Sequence, residues 1–246
     1  MRLATRLAMA LVVLLSASAV SAQTADEVIE KSIAALGGRA AHAKIKTRSM
    51  TGTITLVTPA GDIPGTIEIL NALPNKVRTL IKADLTSLGA GPLVIDQRFD
   101  GQSGYVLDTL QGNREITGNQ LDNMRNTGFP NAFLTYKELG FSVKLQGKEK
   151  VGEREFHVLV FEPTTGSTIR QYVDAQTFIP TRFVMKVEVP QIGEIEQTTE
   201  LSDYRDVDGV KLPFKLNASS SVQSYTVDLA KIEHNVAVDE KLFVKP

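Results

Sequence analysis

The sequence predicts an α+β fold: an antiparallel β-sheet of about ten strands, with N-terminal and mid-chain helices covering one of its faces. Apolar and polar residues alternate with a period of two from Thr47 onwards, as in half-buried strands. Short turns such as Asp100-Gly101 and Asp208-Gly209 join the runs, which is typical of an antiparallel meander. Helical spacing is confined to the N-terminal region and to one mid-chain segment, so these helices are the natural cover for the sheet.

The chain begins with the pattern of a secretory signal peptide. Two arginines precede a short apolar run and then small residues, and no acidic residue comes before Asp26. This order indicates a signal peptide at residues 1–22, cleaved after Ala22 or, alternatively, after Ala19. A membrane anchor is the competing interpretation, but a spanning helix needs about 20 apolar residues and this run is shorter. We therefore expect a soluble periplasmic protein in which residues 23–246 form a single domain.

The composition excludes several classes of function. The chain has no cysteine, which excludes disulfides, thiol catalysis, thiolate metal sites and acylation on an N-terminal cysteine. Without Arg2 and Arg6, 25 basic residues face 28 acidic ones, and the net charge of −3 shows no bias toward nucleic acid. We expect no nucleic-acid partner, no cofactor and a monomeric protein.

An amphipathic helix is predicted at the start of the mature chain. Thr24 is suited to be its N-cap, and acidic residues follow in the first turn. Gly37-Gly38 ends the helix, because glycine readily adopts the left-handed conformation found after a helix. Near the other end of the chain, Pro213 cannot donate to a central ladder, so its strand is expected at an edge or with a bulge.

A mid-chain segment, residues 118–139, interrupts the strand pattern with glycine and proline. Leu121 and Met124 fit one short helix, and Phe133 and Tyr136 fit a second. The segment could be a fixed plug in the core or a mobile lid, since loops with Gly/Pro breaks are where mobility collects. The residues alone favour the plug.

Sequence patterns for catalysis are weak. The three histidines are far apart in the chain and form no metal-ligand motif: His42, His157 and His234. Gly101-Gln102-Ser103-Gly104 lacks the spacing of a nucleophile elbow, and Asp206-Val207-Asp208-Gly209 lacks the glutamate of a calcium loop. We expect no enzymatic activity and no metal site; a hydrolase built on paired carboxylates stays open as a less favoured alternative.

Four stretches carry a family resemblance. They are the helix end at Ala35-Leu36-Gly37-Gly38 and the residues 172–182, 204–214 and 242–246. Together they resemble the outer-membrane lipoprotein-sorting protein family, the LolA/LolB-like carriers. The resemblance is closer to the broad branch of this family than to the lipoprotein carrier itself. The resemblance spans nearly all of residues 23–246. It implies a half-barrel of antiparallel strands around helices, with an apolar cavity that receives acyl chains.

The physics of acyl-chain burial agrees with that implication. Each buried methylene contributes about 0.8 kcal/mol, so a dry and adaptable pocket is enough and no covalent chemistry is required. One sheet face and the mid-chain segment are predicted to line it: Met50, Ile54, Leu56, Ile67, Ile69, Phe133, Leu134, Phe183, Met185 and Val187. The alternative for each of these residues is a plain core position.

The predicted function is therefore that of a periplasmic carrier or binding protein for a lipid or an acylated lipoprotein. Its partners would be acyl chains, with envelope membrane proteins as donor and acceptor. A non-catalytic envelope sensory module that binds a protein partner is the first alternative. A secreted hydrolase is the second.

Overall fold

The strands of the protein form one open antiparallel sheet of thirteen strands. The structure is a computed structural model that describes residues 23–189 and 191–246, and the predicted signal peptide at residues 1–22 lies outside the described residues. The predicted fold class, an α+β curved half-barrel, is confirmed. The number of strands differs from the ten expected, in part because β6 is only three residues long and shows no alternation.

The strands are β1 (Thr47–Val57), β2 (Ile63–Ala72), β3 (Lys76–Asp84), β4 (Pro92–Phe99), β5 (Gly104–Asp108), β6 (Arg114–Ile116), β7 (Ser142–Val151), β8 (Arg154–Glu162), β9 (Ile169–Asp174), β10 (Pro180–Val189), β11 (Gly193–Val207), β12 (Val210–Ser220) and β13 (Ser224–His234). The α-helices are α1 (Ala25–Ala35), α2 (Arg39–His42), α3 (Gly118–Thr127) and α4 (Ala132–Thr135). Short 3-10 helices span Thr86–Leu88 and Glu240–Leu242.

The strand order explains why the mid-chain segment crosses the sheet. Strands that are consecutive in the chain pair with each other, except β6 and β7, and β1 pairs with β13 in the middle of the sheet, giving the order β6-β5-β4-β3-β2-β1-β13-β12-β11-β10-β9-β8-β7. The two edges are thus β6 and β7, which are consecutive in the chain. The connection that carries α3 and α4 must therefore run from one edge of the sheet to the other.

Helix α1 begins and ends where the sequence predicts. Thr24 and Glu27 form a capping box, with the Thr24 hydroxyl accepting from the Glu27 amide at 3.2 Å. After the helix Gly37 has a φ of +113°, and a Cβ there would lie 2.1 Å from the carbonyl oxygen of Gly209. The amide of Lys211 also donates to the carbonyl of Leu36 at 3.0 Å. Only glycine fits this close approach, which fastens the end of α1 to the β11–β12 hairpin.

Pro213 lies in β12, which is an internal strand, and the pairing of β12 with β11 has no register shift, so neither the expected edge position nor the expected bulge is found in this strand. The proline is accommodated because the pairing of β12 with β13 runs only from Lys215 to Ser219. Pro213 itself pairs with Tyr204 of β11 alone. Its missing N–H therefore leaves no ladder hydrogen bond unmade on the β13 side.

Candidate ligand-binding face

One face of the sheet, here called the inner face, is apolar and lies against the helices. Side chains alternate between the two faces, so Met50 and Ile54 of β1 share a face. The register places Met50 opposite Ile69 of β2 and opposite Ile232 of β13. The same face continues across the sheet to Phe183 in β10. All these residues belong to apolar clusters on the inner face.

The ten predicted lining residues separate into two clusters on this face. The first cluster is formed by β1–β3, β12 and β13 with Phe129, and we call it the open half. It contains five of the predicted residues: Met50, Ile54, Leu56, Ile67 and Ile69. The second cluster is formed by β7–β10 with α1 and α4, and we call it the capped half. It contains the other five: Phe133, Leu134, Phe183, Met185 and Val187.

The capped half is filled by the protein's own side chains. Residues Val28, Ile29 and Ile33 of α1 are buried in it. The rings of Phe133 and Tyr136 meet the ring of Phe161 edge-on, with centroids 5.5 and 6.2 Å apart. In this half the second part of segment 118–139 is therefore a packed plug.

Burial differs among the predicted lining residues. Four of them are buried: Ile54, Ile67, Phe133 and Met185. The other six keep part of their surface exposed: Met50, Leu56, Ile69, Leu134, Phe183 and Val187. A partly exposed apolar side chain on a recessed face gains free energy when a hydrocarbon covers it. Contact of these ten residues with a ligand stays a prediction.

Three further residues extend the open half and were missed in the sequence. Ile81 of β3 pairs with Ile67, Leu216 of β12 pairs with Val227, and Tyr225 of β13 pairs with Leu56. All three are partly buried and pack on the open-half cluster. The alternation within each strand was readable, but which strands lie side by side depends on the β1–β13 pairing, which joins opposite ends of the chain.

Helix α3 is held to the sheet by polar contacts. The side-chain oxygen of Asn123 accepts from the Ser167 amide at 2.7 Å, and its nitrogen donates to the Ser167 hydroxyl at 3.1 Å and to the carbonyl of Lys186 at 3.2 Å. Asn126 donates to the carbonyl of Thr165 at 2.6 Å. These bonds fasten α3 to the β8–β9 loop and to β10.

Two clefts flank the first turns of α3. One, of about 460 Å³, lies between α3 and β5–β6 and is lined by Leu121, Ile116 and Val244, among others. The other, of about 430 Å³, lies between Asn119 of α3 and β9–β11, where Met185 is the one predicted residue among its lining.

The three histidines pack against other side chains within the fold. His157 is 3% exposed and stacks on Phe178 with ring centroids 5.6 Å apart, and burial lowers its pKa. His42 and His234 lie near Arg48, and burial lowers the pKa of each.

Across residues 23–189 and 191–246, no group of three or more His, Asp or Glu side chains is placed to hold a metal ion. In the same part of the chain, no helix has both the length and the apolar character needed to cross a bilayer.

No family model matches the sequence, and no curated protein matches it either. Solved structures do match. A LolA superfamily protein from Nitrosomonas europaea is 13% identical, with a TM-score of 0.57 over 91% of this chain and 99% of that chain. A DUF1329 family protein from Desulfovibrio piger is 12% identical, with a TM-score of 0.56 over 88% and 95% of the two chains.

A third match is a domain from Vibrio parahaemolyticus that has been assigned to outer membrane lipoprotein sorting. It is 12% identical, with a TM-score of 0.53 over 89% of this chain and 95% of that chain. These identities support a statement about fold alone, and the matches cover almost the full length of each chain. The protein therefore has the LolA-like fold, as the resemblance in its sequence predicted.

Proposed function

We propose that this protein is a periplasmic carrier that holds the acyl chain of a lipid or of a lipid-modified protein on its inner face, without catalysing a reaction. One observation carries the proposal. In the open half, apolar side chains of the inner face, such as Met50, Leu56 and Ile69, are only partly buried. A face of this kind leaves apolar surface in contact with water until another apolar surface covers it.

The energetics favour a flexible hydrocarbon as that cover. Each methylene moved out of water contributes about 0.8 kcal/mol, and the contact needs no directional bonds. Unbranched Met50 and the aliphatic side chains around it adapt to a ligand without fixed shape. The open half offers such side chains on neighbouring strands, so a chain lying along β1 would contact β2 and β13 as well.

Two further points support an envelope role. The domain from Vibrio parahaemolyticus that shares this fold has been assigned to outer membrane lipoprotein sorting. The N-terminal sequence predicts export, which would bring the protein to the compartment where acylated proteins and lipids must cross water.

Partner binding through an open strand edge has less support. Edge strand β7 carries Lys144, Lys148 and Lys150 and has a register shift beside Gly147, which has a φ of +124°. Lysines and bulges on an edge strand discourage pairing with another strand. The other edge, β6, is only three residues long.

Titration with a fluorescent fatty acid tests the proposal, using two adjacent residues of β2 as a matched pair. Ile69 lies on the inner face and Leu70 on the outer face, and both are partly buried. We expect Ile69→Gln to weaken binding about five- to tenfold, since it replaces apolar contact with a polar group, and Leu70→Gln to leave binding unchanged.

The proposal fails if the wild-type protein takes up no fatty acid and native mass spectrometry of protein purified from cells shows only the ligand-free mass. It also fails if Leu70→Gln weakens binding as much as Ile69→Gln, because the inner face would then have no special role.

A further inference from the structure

A partly buried arginine lies on the inner face at one end of the open half. Arg48 precedes Met50 by two residues in β1 and therefore projects from the same face. It lies opposite Asn71 of β2 and His234 of β13. Its guanidinium carbon is 5.2 Å from the ring centre of Phe129, which is buried in the open-half cluster.

The charge of Arg48 has no carboxylate beside it. Among residues 23–189 and 191–246, no Asp or Glu oxygen lies within 4.0 Å of its nitrogen atoms. Its Nε donates to Nε2 of His234 at 3.3 Å, and its terminal nitrogens have no acceptor in this part of the chain. Burial lowers the pKa of Arg48 to about 10. Arg78 shows the contrast, because its hydrogen bonds to Asp96 raise its pKa.

The neighbouring histidines orient Arg48 without neutralising it. Since Nε of Arg48 can only donate, Nε2 of His234 must accept, and the ring proton is then on Nδ1, 3.1 Å from the Asp208 carboxylate. Burial lowers the pKa of His234 and so favours this neutral form. His42, also close by, is 9% exposed and its Nε2 has no hydrogen-bond partner in the described chain.

We propose that Arg48 binds the anionic head group, a carboxylate or a phosphate, of the amphiphile whose hydrocarbon chain the open half holds. The inference rests on the proposed function. A guanidinium with free terminal N–H groups matches either anion in a bidentate geometry. Asn71, buried on the opposite strand, adds an amide donor beside it. An anion in this position would also remove the cost of a half-buried charge that lacks a partner.

The site gives the ligand a direction. With the head group at Arg48, the tail would run along β1 over Met50 and Ile54 to Leu56. A strand rises about 3.3 Å per residue, so this path is roughly 26 Å long. That length suits an extended long-chain acyl group.

The test compares charged and uncharged ligands that share one tail. Oleate, oleyl phosphate and oleyl alcohol are titrated against wild type, Arg48→Met and Arg205→Met. Arg205 is a matched control, because it too lies over a phenylalanine ring, 4.3 Å from Phe214, but it is paired with Asp203 and its side chain is 53% exposed. We expect Arg48→Met to weaken oleate and the phosphate about ten- to hundredfold and to leave the alcohol unchanged, with no change in Arg205→Met.

Other outcomes separate the two proposals. If wild type binds none of the three ligands, both proposals fail. If all three bind and Arg48→Met changes none of them, or changes all equally, the head-group site is wrong and the carrier function stands. If inorganic phosphate competes as well as oleyl phosphate and does so through Arg48, the site serves free anions and the inference is overturned. If Arg48→Met does not fold, Arg48→Lys replaces it in the test, because lysine keeps the positive charge but lacks the bidentate guanidinium. We expect Arg48→Lys to weaken the binding of oleate and to leave the binding of oleyl alcohol unchanged.

Discussion

The capped half and the open half of the inner face are covered in different ways. In the capped half, α1 and the plug that includes Phe133 and Tyr136 fill the space over β7–β10. In the open half, single side chains such as Phe129 and Ile45 contribute to the cover, and much of the apolar surface of β1–β3, β12 and β13 is only partly buried. The protein's own side chains therefore cover the apolar face in the capped half. In the open half, a ligand that covers the face would bury apolar surface and so gain binding free energy.

Helix α3 belongs to neither the capped half nor the open half. It crosses the sheet with polar rather than apolar anchors, chiefly Asn123 and Asn126. Hydrogen bonds of this kind are worth about 1 kcal/mol each, far less than the burial of an aromatic plug. We therefore expect the capped half to contribute most to stability, the open half to bind the ligand and the contacts of α3 to open most readily.

The largest effect is expected from the capped half. Phe161 is 1% exposed and contacts both plug rings, so Phe161→Ala should lower the free energy of unfolding by about 3–5 kcal/mol. Leu216→Ala, in the open half and only partly buried, should cost about 1–2 kcal/mol. Denaturant unfolding measures both, and equal losses would contradict the division into halves.

An intermediate effect is expected at the anchors of α3. Asn123→Ala removes the three hydrogen bonds to Ser167 and Lys186, and we expect a loss of about 1–3 kcal/mol. If α3 gates the inner face, the same change should also speed the release of a bound fatty acid, measured by stopped-flow fluorescence. Gln120→Ala is the control, because Gln120 makes no side-chain hydrogen bond within the described chain. Unaltered release in Asn123→Ala would make α3 a fixed part of the fold.

The smallest effect is expected in acid and concerns the turn after β9. Burial raises the pKa of Asp174, but hydrogen bonds from Thr177, Arg154 and Gln176 outweigh it and lower the pKa to about 2. Because the folded pKa lies below the unfolded one, Asp174 stabilises the protein above about pH 4, and this contribution is lost as the pH falls toward 2. Asp174→Asn should therefore lower the Tm at neutral pH and flatten its fall between pH 4 and 2. An unchanged acid profile would mean that Asp174 does not stabilise this turn.

Local signals in the sequence predicted the local structure. The Thr24 cap, the Gly37-Gly38 helix end and the alternation in β1 and β2 depend on neighbouring residues, and all three are present. The curvature of the sheet was predicted from the family resemblance, not from these local signals. Strand β6 was missed because three residues are too few for a period.

Features that depend on distant pairing were not readable from the sequence. Arg48 and His234 are 186 positions apart, and Asn123 and Ser167 are 44 apart. The internal position of Pro213 depends on where the pairing of β12 with β13 stops. The division of the ten predicted residues between a filled and an open half follows from which strands the helices happen to cover, and alternation within a strand carries no information about that.

Photo-cross-linking with a fatty acid that carries a photoreactive group in its tail would show where a bound hydrocarbon lies. After mass-spectrometric mapping, we expect adducts on inner-face residues of the open half, such as Met50, Leu56, Ile69 and Tyr225, and we expect an excess of unlabelled oleate to suppress them. Adducts confined to the outer face, or spread over the surface and insensitive to oleate, would show that the inner face does not hold the hydrocarbon.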